Sequence, residues 1–160
     1  MAGEQSDKRE KFEKEVAAHP FLLGMNEQHV RLLSDCAMHS HFHTDGIVFR
    51  EGEAANRFYL IVRGKVRLES STLGEPVPID EIHDGDLLGW SWLFPPYKCH
   101  FTAITGAPTE VISCNAERLR AEAEKNCEFR AEMLSRVANT LFERLRFTRL
   151  RLIDSYRLSA

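Results

Sequence analysis

The sequence predicts a mainly β domain with flanking helices: a sandwich, roll or barrel of short strands, followed by a long C-terminal helix. Three observations carry this. Between residues 38 and 114, short β-rich runs alternate with turn residues at roughly ten-residue spacing. Before and after that region, apolar residues recur at three- and four-residue steps. The length of 160 residues suits one domain with a core of its own.

The elements follow in order. The first ten residues are polar and are expected to fray. Residues 11–18 form a short amphipathic helix that Pro20 stops. Phe21 to Met25 is a turn with apolar anchors. Asn26 can cap a second helix to about residue 36, with Val30, Leu32 and Leu33 facing the core. Strands are expected over 38–43, 47–50, 58–62, 65–70, 77–82, 101–105 and 110–114. Breakers such as Asp45-Gly46, Arg63-Gly64 and Asp84-Gly85-Asp86 separate them. Asn115 caps a short helix over 116–124, and a longer one runs over 128–156.

That last helix carries a stripe of Val137, Leu141, Leu145, Thr148, Leu152 and Tyr156. At about 1.5 Å per residue it extends roughly 40 Å, more than a small β domain needs to cover itself. The stripe is therefore expected to pair two chains as a homodimer. On this reading residues 1–127 are the β unit with its N-terminal helices, and 128–160 the dimerisation helix.

Composition narrows the function classes. The chain is 43% hydrophobic and 28% charged, with net charge −3, which lacks the basic excess of a nucleic-acid binder. Five Arg and one Asp between Arg144 and Arg157 make only the C-terminal end basic, a solvated flank of the seam or a contact for an acidic partner. The four cysteines, Cys36, Cys99, Cys114 and Cys127, form no CxxC pair, so a zinc ribbon or iron–sulfur cluster is not expected. With no signal-like apolar run and no apolar stretch of membrane length, a cytoplasmic protein with reduced thiols and no membrane partner is expected.

Three segments resemble the Crp/Fnr-type cyclic-nucleotide-binding domains. Asp45-Gly46-Ile47-Val48-Phe49-Arg50-Glu51-Gly52-Glu53 is similar to that family's first hairpin. The run from Phe58 to Leu68 is similar to the next, with its turn glycine at Gly64. Asp84-Gly85-Asp86-Leu87-Leu88-Gly89 resembles the entry to the phosphate-binding cassette. The resemblance implies a β-roll (a double-stranded β-helix, or jelly roll) and a ligand-sensing role without catalysis. It also implies a helix-turn-helix after the long helix in the DNA-binding relatives. The sequence reaches only Ala160, so sequence-specific DNA binding by this chain is not expected.

The cassette departs from the family pattern. There, a glycine is followed by a Glu that accepts the ribose hydroxyl, and a later Arg pairs with the cyclic phosphate. Here Gly89 is followed by Trp90, and Tyr97-Lys98-Cys99-His100 holds no Arg. Lys98 could supply a point charge but not a bidentate fork. Losing a charge-assisted hydrogen bond costs about 1.5–3 kcal/mol, so tight cyclic AMP binding is not expected. The candidate ligand-binding residues are Gly89, Trp90, Ser91, Trp92, Leu93, Lys98, Cys99 and His100. The aromatics Trp90, Trp92, Phe94 and Tyr97 can equally be core packing or a wall for a planar ligand.

Other chemistry is thinner. His39, His41 and His43 alternate along one strand face and, with Cys99, are candidate metal ligands; a solvated face, with Met38 and Phe42 turned inward, explains the histidines as well. Cys99 or His100 could ligate haem, although adjacent residues on an extended chain point opposite ways. No paired carboxylates, nucleophile–base order or phosphate loop is apparent, so no enzyme is expected. The readings left open are a sensor for a cyclic-nucleotide-like ligand that signals through a partner, a scaffold with a decayed pocket, and a haem or metal sensor.

Overall fold

The computed structural model describes residues 2–159. Its helices are α1 (Ala2–Ala18), α2 (Glu27–Asp35), α3 (Ala116–Lys125) and α4 (Cys127–Leu158). Its strands are β1 (Ala37–Phe42), β2 (Ile47–Phe49), β3 (Arg57–Arg63), β4 (Lys65–Ser70), β5 (Val77–His83), β6 (Leu87–Leu88), β7 (Thr102–Thr105) and β8 (Thr109–Asn115). They form two four-stranded antiparallel sheets, ordered β1-β8-β3-β6 and β2-β7-β4-β5. This is the expected β-roll with flanking helices.

Within the first sheet β3 is buried on both faces, which is why it reads as a continuous apolar run. Tyr59 and Ile61 enter the space between the sheets, with Val66, Leu68, Ile82, Leu88 and Val111. Phe58 and Leu60 alternate to the other face and meet the helices, with Ile112, Leu33, Leu119, Phe129, Met133 and Val137. The molecule thus has two cores separated by one sheet. The first turns of α4 complete the second core, so packing continues across the 127/128 boundary. Gly64 lets the β3–β4 hairpin close on β8: at φ +115°, a Cβ there would stand 2.8 Å from Thr109 Cα.

Three expectations need correction. The first helix begins at Ala2 instead of 11, and charge pairs hold its middle turns: Arg9–Glu13 at 3.2 Å, Glu10–Lys14 at 2.7 Å, and Arg9 across to Asp35 of α2 at 2.6 Å. Strand β6 was not foreseen, since two residues give no periodicity to read. Met38 is 53% exposed instead of turned inward, with its sulfur 3.8 Å from Arg57 Nη1 near the sheet rim.

Polar contacts tie the helices down. Glu132 on α4 takes hydrogen bonds from His29 on α2 and from Arg136 at 3.0 Å. Burial pushes the Glu132 carboxyl up, but those two partners together hold it below its ordinary value. Arg136 also donates to Phe21 O at 2.8 Å and Leu23 O at 3.1 Å, fastening the 3-10 turn Pro20–Leu22.

Buried His19 caps that turn. Its Nδ1 accepts from Phe21 N–H at 3.2 Å, so Nε2 carries the proton and donates to Ile61 O at 3.0 Å. Burial pulls its pKa below the ordinary 6.5, against the pull of the Ile61 bond. The unfolded chain therefore takes up this proton first, and the His19 contribution is lost as pH falls below about 6.5. His19→Asn keeps a capping acceptor without a titrating ring. Between about pH 7.5 and about pH 5.5 the wild type should lose more stability than this variant, measured by urea unfolding. Equal losses would show that His19 titrates normally in the fold.

Candidate functional site

The cassette segment starts where β6 ends. Gly89 takes a left-handed conformation (φ +86°, ψ +49°) that turns the chain into a 3-10 turn, Trp90–Leu93. The two tryptophans, two residues apart on this tight turn, go to different places. Trp92 is 0% exposed in the helix-side core and stacks on Phe58, with ring centroids 5.1 Å apart and planes 12° from parallel. Its Nε1 has no partner. Trp90 stays half-buried at the mouth of the roll.

Over Trp90 lies Arg144 of α4, with its guanidinium carbon 4.4 Å from the ring centroid. Arg144 Nη2 donates to Leu87 O, while Nη1 is buried without a partner. Burial lowers the Arg144 pKa, opposed by Asp86 and Asp80, yet an arginine so placed stays protonated. What remains of the roll's cavity is about 20 Å³. It is lined by Gly89, Trp90, Ser91 and His100, by Phe49, Leu68, Leu88 and Phe101, and by Arg144. One water is near its limit, against the 300–1,000 Å³ of a typical ligand pocket. Larger space lies outside the roll, in an open cleft of about 490 Å³ between β5 and α4.

The sequence candidates divide accordingly. Gly89, Trp90, Ser91 and His100 line the cavity. Trp92 and Leu93 pack on the helix-side core, which Trp90 also touches, and do not line the cavity. Lys98 is exposed beside Ala54, and Cys99 turns into the helix-side core, its backbone bonded to Gly52 and Glu53 at 2.8 Å each. Of these three neighbours only His100 lines the cavity. Tyr97, at φ +57°, lies under Arg120, whose Nη1 donates to Trp92 O at 3.0 Å.

Two other candidate groups are rearranged. The three histidines do not converge. His41 and His43 are exposed, whereas His39 meets Glu15 of α1 at 3.1 Å. Along α4, Val137 is 0% exposed in the chain's own core and Leu141 packs against it, so Val137 is corrected from interface to core. Leu145, Leu152 and Tyr156 are 50%, 54% and 70% exposed, and Thr148 is exposed with its hydroxyl on Arg144 O at 2.9 Å. Arg144 itself was missed as a site residue. It stands first in the Arg run read as a solvated face, and only the helix's angle across the roll turns it inward.

Cys99 also bears on the haem reading. Burial, with Glu53 nearby, pushes its thiol up to about 11, so it is not a thiolate at neutral pH. Burial raises Cys36 and, more strongly, Cys114 as well. A 20 Å³ cavity holds no macrocycle.

The description "Cyclic nucleotide-binding domain" belongs to the family model that matches residues 39–126, more than half of the chain. No curated protein matches. Among solved structures, the chain is similar to a candidate cyclic nucleotide-binding protein from Geobacter metallireducens GS-15. The identity is 23%, the TM-score 0.76, and the match covers 82% of this chain and 96% of that one. A cyclic nucleotide-binding domain from Methylobacillus flagellatus KT matches at 17% identity and TM-score 0.77, covering 91% and 84%. The catabolite activator protein of Thermus thermophilus matches at 23% and 0.65, covering 83% of this chain and 61% of that one.

The thiol environments make a labelling prediction. Cys36, Cys99 and Cys114 are buried and Cys127 is exposed. An aromatic disulfide reagent at about pH 8 should modify one thiol quickly, Cys127, and the other three only on unfolding. Rapid labelling of Cys99 would show that its strand opens readily.

Proposed function

The chain belongs to the cyclic nucleotide-binding domain family, and from that premise we propose that it is a non-catalytic regulatory module whose own α4 closes the roll in place of a nucleotide. The observation that carries this is the 20 Å³ cavity lined by Trp90 and by the Arg144 stacked on its ring. No carboxylate stands at the position after Gly89 to take a ribose hydroxyl, and no Arg fork stands at His100 to hold a cyclic phosphate. Ligand entry requires the Arg144–Trp90 contact to open, which ties occupancy of the roll to the position of α4. That coupling is how such a module signals to a partner. The same closed cavity supports a second reading, a scaffold whose pocket has been filled by Trp90.

The four free cysteines suit a reducing, cytoplasmic setting. Among the described residues no helix is long and apolar enough to cross a membrane.

Calorimetry with cyclic AMP tests the pocket reading. The wild type should show no submicromolar binding. Trp90→Glu with His100→Arg restores a carboxylate and a guanidinium on cavity-lining positions and should tighten binding at least tenfold, about 1.4 kcal/mol. Submicromolar binding by the wild type would mean that Trp90 swings clear at little cost. If no nucleotide shifts the melting temperature and native mass spectrometry finds no retained small molecule, the scaffold reading gains.

The second part of the proposal is a homodimer along the outer half of α4. Leu145, Leu152 and Tyr156 continue the Val137–Leu141 stripe past the chain's own core, where they stand exposed. Light scattering at micromolar concentration should give twice the chain mass, and Leu145→Asp with Leu152→Asp should halve it. A monomeric wild type would remove the dimer from the reading.

A further inference from the structure

Outside the roll, three groups from three elements meet. Glu15 on α1, His39 on β1 and Glu110 on β8 hold their ligand atoms within 4.8 Å of one another. His39 Nε2 is 3.1 Å from a Glu15 oxygen, and the Phe12 ring packs on the imidazole at 5.0 Å, which sets the ring's direction. His41 stands opposite Glu110 in the β1–β8 register and shares the face of His39 two residues away.

We propose that Glu15, His39 and Glu110 form a binding site for a divalent first-row transition ion, Zn²⁺ fitting best, that fastens α1 to the β1–β8 edge. The donor set carries the choice. One imidazole nitrogen and two carboxylate oxygens match the ligands of zinc, and the imidazole selects against Mg²⁺ and Ca²⁺. Bonds of about 2.0–2.2 Å place tetrahedral ligands about 3.3–3.6 Å apart. The His39–Glu15 edge, at 3.1 Å, needs to open by only a few tenths of an ångström, about 0.2–0.5 Å, to admit the ion. Glu110 is half-buried and completes the set by a side-chain rotation. The fourth position falls to water or to His41. A cation also relieves the repulsion between two carboxylates held this close. Three residues in a row along one strand could not converge on an ion; His39 can, because helix and neighbouring strand supply what its own strand lacks. The site is independent of the roll's cavity and of what occupies it.

The test is Zn²⁺ titration of the full chain by calorimetry, with Co²⁺ as a spectroscopic probe. One equivalent of Zn²⁺ should bind, Co²⁺ should develop visible d–d absorption, and Mg²⁺ should give neither heat nor competition. His39→Gln and Glu110→Gln should each weaken Zn²⁺ at least tenfold. His43→Gln and Cys127→Ser should leave it unchanged. His39 and Glu15 are partly exposed, so the variants are expected to fold, and unfolding curves without metal check this. Absence of saturable Zn²⁺ binding would overturn the proposal. So would unchanged affinity in both the His39 and Glu110 variants, or loss only on changing Cys127.

Discussion

The stack of Trp92 on Phe58 is the contact on which the cassette depends. Phe58 is fixed in β3, the strand buried on both faces, and Trp92 is fully buried against it. A side chain of that size locks the short turn it sits on. Gly89 must then be left-handed to enter the turn, and Trp90 is left at the roll's mouth. The closure of the cavity is thus a consequence of where the neighbouring tryptophan is anchored, and not of Trp90 alone.

Arg144 adds a second level. A guanidinium taken from water loses hydration, and here it regains one carbonyl, an aromatic face and no partner for Nη1. The site is incompletely satisfied, whereas the base of α4 is well fastened by Phe129, Met133, Val137 and the Glu132–His29–Arg136 contacts. The helix is accordingly firm at its start and poorly compensated where it crosses the roll. A conformational change has least to break in that second stretch.

The sheet β1-β8-β3-β6 joins these parts. Its inner face builds the roll, and its outer face seats the helices that carry Arg144 and Glu15. Both proposed sites therefore lie where a helix meets this sheet. Neither lies within a single stretch of sequence.

The sequence by itself determined a mainly β domain of short strands and the long last helix, because alternation, turn glycines and helical stripes are local properties of the chain. Its resemblance to a known family pointed to the β-roll; the strand order came from the tertiary structure. The sequence also showed that Trp90 follows Gly89 and that residues 97–100 hold no Arg, since identity at a position needs no coordinates. The tertiary structure decided which tryptophan faces the cavity, that His100 lines it, that Val137 is core, and that Arg144 leaves the solvated face for the roll. It likewise decided that His39 meets Glu15 and Glu110 instead of its own strand neighbours. Each of these depends on the angle and register at which distant segments pack, and a period of 2 or 3.6 along one segment carries no information about that.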